Sequence, residues 1–153
     1  MSGASSRKAL ACVLGGIMDL VRPLGLAGIP CAVVTPPGGP SVYSRFTRTV
    51  LYWEDFSAAE ELAEALVRFG AEQPEPPVLF YVDSSQLLLV SRYRERLAKA
   101  FRFVIADSAL VEDLVDKSRF QALAERLHLP VPATRRLHPA AGSTPRISSC
   151  LFQ

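Results

Sequence analysis

The residues of this 153-residue chain that could do chemistry are few and stand at the ends of apolar runs. Gly15 and Gly16 interrupt the run from Ala9 to Met18. Having no side chains, they would let a phosphate or carboxylate approach backbone amides near a helix start, although a tight turn alone also accounts for the pair. Asp83 follows the run Val78 to Val82. Its carboxylate could orient a ligand, yet with Gln86 three residues on it also makes a helix cap. Ser44-Arg45 and Ser91-Arg92 each join a hydroxyl to a guanidinium fork. Either pair could bind an anionic group, and either suits an ordinary surface.

Several chemistries are excluded. The pattern Leu14-Gly15-Gly16-Ile17-Met18-Asp19 lacks the spaced third glycine of a dinucleotide fingerprint, and the second apolar run ends in Thr35 rather than in an acid for a ribose. A nicotinamide-dependent oxidoreductase is disfavoured on both counts. There is no P-loop and no nucleophile elbow. The histidines are His128 and His138, and no Cys, His or carboxylate cluster has ligand spacing, so no metal site is expected.

The elements that must position these groups alternate. The first run is unbroken apolar, as suits a strand covered on both faces of a parallel sheet. Ile17, Leu20, Val21 and Leu24 recur at helical spacing, with Pro23 predicting a short or kinked helix that Gly28 stops. Ile29 to Thr35 reads as a second parallel strand, which makes a right-handed crossover unit. After the break Pro36-Pro37-Gly38-Gly39-Pro40 comes a β-prone segment, Thr49 to Trp53. Ser57-Ala58-Ala59-Glu60 is a capping box opening a helix with Leu62, Ala65, Leu66 and Phe69 on one face, ended by Gly70. Val78 to Val82 is a third core strand. Leu87, Val90, Tyr93, Leu97 and Phe101 predict one further helix, followed by a short strand around Arg102 to Ile105 and helical segments over Val111 to Val115 and Asp116 to Leu127. Leu129 to Thr134 is extended by its prolines.

This pattern predicts an α/β fold, a Rossmann-like three-layer α/β/α sandwich with a mostly parallel sheet. In such folds function gathers at the carboxyl ends of the strands where the connection direction reverses. Gly15-Gly16, Ser44-Arg45 and Asp83 are the three loops expected there.

Composition agrees with one globular domain, at 49% hydrophobic and 21% charged residues. The net charge of +2 is too small to argue for nucleic acid or an anionic membrane as partner. Charge is uneven, with six Lys/Arg against nine Asp/Glu up to Val90 and eleven against six from Ser91 onward, which solvated helix faces explain. No apolar run approaches the ~20 residues of a membrane span. Arg7 and Lys8 before an apolar segment imitate a secretory signal, but Asp19 and Arg22 follow at once, so a cytoplasmic protein is expected. Cys12, Cys31 and Cys150 form no framework and read as buried or incidental thiols.

Ser91-Arg92-Tyr93-Arg94-Glu95-Arg96-Leu97, then Val115-Asp116-Lys117-Ser118-Arg119-Phe120 and Leu129-Pro130-Val131-Pro132-Ala133-Thr134, resemble the front part of an ATP-grasp ligase. Val13-Leu14-Gly15-Gly16, Leu24 to Pro30, Ser44-Arg45-Phe46 and Phe80-Tyr81-Val82-Asp83 match further landmarks in order. The resemblance spans roughly Lys8 to Thr134. It is closest to the bacterial carboxylate-amine ligases of D-aspartate ligase type, in a superfamily that includes biotin carboxylase.

The resemblance implies a leader over 1–7, a Rossmann-like pre-ATP-grasp domain over 8–112, a helix and strand leading into the ATP-grasp domain over 113–134, and a disordered tail over 135–153. It implies that the complete enzyme joins a small-molecule carboxylate to an amine with ATP and magnesium, through an acyl phosphate. Lys117 matches a lysine that reaches the nucleotide phosphates, against the alternative of an exposed lysine in a first helical turn. Gly15, Gly16, Ser44, Arg45, Asp83, Ser91 and Arg92 would then face substrate. Because the chain stops about where the first ATP-grasp strand should begin, it is expected to be an N-terminal piece that holds neither ATP nor magnesium tightly and is inactive alone. A homodimer is compatible with this reading. The alternative is a stand-alone Rossmann-like binding or assembly module without catalysis.

Overall fold

The computed structural model describes residues 8–55 and 58–132. Four parallel strands, β1 (Ala11–Leu14), β2 (Cys31–Thr35), β3 (Thr47–Tyr52) and β4 (Val78–Phe80), form a sheet in the order β3-β2-β1-β4. Arg102 adds a single parallel bridge beyond β4, at Val78, in place of the expected strand over 102–105.

The helices are α1 (Met18–Leu26), α2 (Ala59–Ala71), α3 (Ser84–Arg92), α4 (Arg94–Leu97), α5 (Ser108–Val115) and α6 (Lys117–Arg126). The strand period of two splits the core into halves. Ala11, Val13, Cys31 and Val33 face α1 through Val21, while Cys12, Leu14, Val34 and Leu79 face Leu62 and Leu66 of α2 and Leu89, Val90 and Leu97 of α3 and α4. The three-layer α/β/α sandwich is therefore observed, with both faces of β1 and β2 buried as their unbroken apolar runs require.

Local chemistry sets the boundaries. Pro23 sits inside α1, and the helix survives it for one further turn, closing with Gly28 at φ 71° and the bonds Gly28 N to Gly25 O (3.0 Å) and Ile29 N to Leu24 O (2.9 Å). The same closure ends α6, with His128 at φ 53° in the glycine's place and Leu129 N donating to Ala124 O at 2.9 Å.

The long helix expected after Asp83 is two. It breaks at Tyr93 (φ −104°, ψ 20°), where the Arg94 side chain bonds back to Ser91. α5 and α6 likewise divide at Asp116, whose carboxylate accepts from the Ser118 and Arg119 amides. Ser57 of the expected capping box lies outside the described residues; α2 begins after Ala58, which has no side chain to cap it, and Glu60 instead pairs with Arg96 at 3.3 Å.

Candidate functional site at the carboxyl end of the sheet

The chain builds β1, β2 and β3 outward on one side, then returns to the other side of β1 to lay down β4. The direction of connection thus reverses between β1 and β4, and the loops leaving their carboxyl ends frame the crevice. From β1 come Gly15 and Gly16, at φ 74° and 57°, a left-handed pair that glycine alone adopts without penalty. They deliver the chain into α1, whose N-cap residue is Ile17. Ile17 offers no side-chain acceptor, so the first-turn amides of α1 have no side-chain cap. A helix start of this kind carries partial positive charge and favours an oxyanion.

From β4 comes Asp83. Its carboxylate accepts from the Gln86 amide at 2.8 Å and from Ser85 Oγ at 2.6 Å, capping α3. Both the cap and the loop position expected for Asp83 are therefore observed. The residue that ties the two loops together is Gln86, which is 3% exposed. Its Oε1 accepts from the Val82 amide at 3.0 Å, and its Nε2 lies against Gly15.

Thr35 and Ser41 complete the wall on the β2 side. A Cβ on Gly16 would collide with Ser41 Oγ and stand 3.0 Å from Thr35 Cβ, so the glycine lets this corner close. Ser41 is fully buried and its hydroxyl has no hydrogen-bond partner among the described residues, an uncommon state for a buried polar atom.

The other expected site residues lie elsewhere. Ser44 and Arg45 precede β3, and in a parallel sheet that is the amino end, opposite the crevice. The connection Pro36 to Phe46 has crossed the sheet by then, through a short 3-10 turn at Pro40–Tyr43. Ser44 Oγ accepts from the Phe46 amide at 3.3 Å, and the Arg45 guanidinium stacks 4.8 Å over the Phe46 ring. The placement of Ser44-Arg45 among the carboxyl-end loops is thus corrected.

Ser91 is buried and serves Arg94, while Arg92 is exposed beside it. Lys117 is exposed at the first turn of α6, a helix that packs on α5, which packs on α3. Among the described residues no group of three or more His, Cys, Asp or Glu could hold a metal ion, and no helix is long and apolar enough to cross a membrane. His138 and Cys150 lie outside the described residues.

No protein family matches the chain by its sequence, and no curated protein matches it either. Solved structures do. An L-amino acid ligase from Bacillus licheniformis superposes with a TM-score of 0.65 over 88% of this chain at 12% identity. The chain shares its fold with that ligase. The biotin carboxylase domain of a single-chain bacterial carboxylase matches 81% of the chain with a TM-score of 0.53 at 20% identity. The chain spans 34% and 30% of the length of these two proteins, about a third of each. Both likenesses agree with the Rossmann-like α/β class expected from the sequence.

Proposed function

We propose that this chain is the substrate-side domain of an ATP-dependent carboxylate-amine ligase, and that the crevice between the β1 and β4 loops receives the carboxylate substrate. The observation that carries the reading is the fold shared over 88% of the chain with an L-amino acid ligase of which it spans 34%. The crevice supports it. Left-handed glycines open the backbone, the first-turn amides of α1 have no side-chain cap, and Gln86 holds the opposite loop in place.

In the complete reaction a carboxylate oxygen attacks the terminal phosphorus of ATP and ADP leaves. The amine nitrogen then attacks the acyl carbon of the acyl phosphate, the C–O bond to phosphate breaks, and the amide forms with loss of a proton. Magnesium finds no ligand cluster among the described residues, so no step is assigned to it here. What these residues supply is the binding and orientation of substrate by backbone amides, which lowers the entropic part of the barrier.

The test is to titrate the 153-residue protein with L-amino acids and other small carboxylates while following the Gly15, Gly16 and Gln86 amide resonances. Carboxylates are expected to move them; if none does, the assignment of the crevice fails. ADP release from ATP is expected not to exceed that of a Lys117→Ala control, and release above it would overturn the inactivity of the isolated chain. The alternative binding-module reading is favoured if a ligand without a carboxylate moves the same amides.

A further inference from the structure

A cavity of about 370 Å³ opens between the α3–α4 junction and the first turn of α5, lined among others by Ser91, Arg92, Arg94, Glu95, Ser108 and Glu112. It shares no residue with the crevice of Gly15 and Gln86. The surrounding charges sort into those already used and those left over. Arg96, also in the lining, is paired with Glu60 and Glu64 at 3.3 and 3.1 Å, and Glu112 is paired with Arg119 at 2.7 Å. Arg92 and Arg94 have no carboxylate partner among the described residues, and they outnumber Glu95, the one lining carboxylate outside an ion pair.

Arg94 is also held still. Its Nε donates to Ser91 O at 3.2 Å, and its Nη2 donates to Ser91 Oγ at 3.2 Å and to Ala106 O at 2.8 Å. Those bonds engage one edge of the guanidinium and leave Nη1 without a partner among the described residues. An arginine fixed by neutral oxygens keeps its full charge for an anion, and its rotamer entropy is already lost. That charge reaches Tyr81, whose phenol burial pushes up while Arg94 pulls it down.

We propose that this cavity binds the phosphate group of a small molecule, with Arg94 as its fixed anchor, the exposed Arg92 as the second cation, Ser108 as hydroxyl donor and Ser91 as the residue that positions Arg94. Two guanidiniums and a hydroxyl match the several oxygens and the double charge of a phosphate better than the single charge of a carboxylate. The site is separate from the crevice proposed for the carboxylate, since no crevice residue takes part, and its test does not depend on that assignment.

Inorganic phosphate, glycerol phosphate and acetate, titrated separately into the full chain at low ionic strength and followed by amide shifts and calorimetry, decide the matter. Saturable binding of either phosphate species is expected, with shifts at Arg92 to Arg94 and at Ser108. Tighter binding of glycerol phosphate identifies an ester as the ligand, and tighter binding of inorganic phosphate identifies the free ion. Arg92→Ala, which removes no ion pair among the described residues, should weaken binding about tenfold or more. Arg94→Lys, which keeps the charge and loses the fork, should weaken it by a comparable factor with the helical circular dichroism unchanged. Absence of saturable binding, shifts confined to other parts of the chain, or affinities unaltered in both variants would overturn the site. Acetate binding as tightly as phosphate would overturn its assignment to phosphate chemistry.

Discussion

Gln86 Nε2 stands 2.7 Å from the point a Cβ on Gly15 would occupy, so the loop leaving β1 and the helix following β4 meet only because residue 15 has no side chain. The relationship joins the two sides of the switch point through one buried amide.

Gly15→Ala is therefore expected to cost about 1–3 kcal/mol, from the left-handed φ of 74° together with the displacement of Gln86. Because the displaced atom ends a side chain, adding Gln86→Ala should relieve the steric part. Denaturant unfolding of the two single variants and the double should show costs that fall short of additivity by about 0.5 kcal/mol or more. Additive costs would mean that the contact carries no energy.

Gly25 lies within α1, where replacement by Ala ordinarily gains about 1 kcal/mol. Here the opposite is expected. A Cβ at Gly25 would run into Cβ and the ring of Phe46, and overpacking of this kind costs about 1–3 kcal/mol. Gly25→Ala in a Phe46→Gly background, which removes both the ring and the Cβ, should be closer to neutral, and thermal unfolding of the pair measures the difference.

His128 is exposed and closes α6 at φ 53°, in the role that Gly28 fills for α1. His128→Gly should raise stability by about 0.5–1 kcal/mol, the relief of a left-handed side chain less the added freedom of the unfolded chain. A fall in the denaturation midpoint would contradict the assignment of this closure.

Burial pushes the Cys12 thiol up to about 12, from an ordinary 9.0. The unfolded chain ionises first, so the contribution of this group is complete below pH 9 and declines as pH rises toward 12. The slope is about 1.4 kcal/mol per pH unit over that window. Wild type should thus lose stability above pH 9 more steeply than Cys12→Ala. Native Cys12 should also resist thiol reagents at pH 8 until the protein is unfolded, because the thiolate is the nucleophile.

Much of the local structure was legible in the residues. Asp83 with Gln86 announced a cap, Gly28 a helix stop, and the apolar runs at Ala9 to Met18 and Ile29 to Thr35 central strands, all of which the fold contains. By spacing from Asp83 alone, Gln86 reads as part of that cap. Its position three residues before Leu89 and four before Val90 puts it on the stripe of α3 that packs on the sheet, and an amide on a buried stripe was the available signal. Ser41 and Thr35 gave no comparable sign, since small hydroxyl residues near a proline-rich turn suit a surface equally well.

The sequence by itself determined the class of the fold and the ends of several of its elements, because helix and strand periods, caps and left-handed glycines are properties of residues close along the chain. Strand order was decided only in three dimensions. Whether the chain after β3 returns to the far side of β1 depends on how two buried faces are covered at once, which no local pattern encodes. That order puts Gly15, Gly16, Asp83 and Gln86 around one crevice, sends Ser44 and Arg45 to the opposite end of the sheet, and gathers Arg92, Arg94 and Ser108 around a separate cavity.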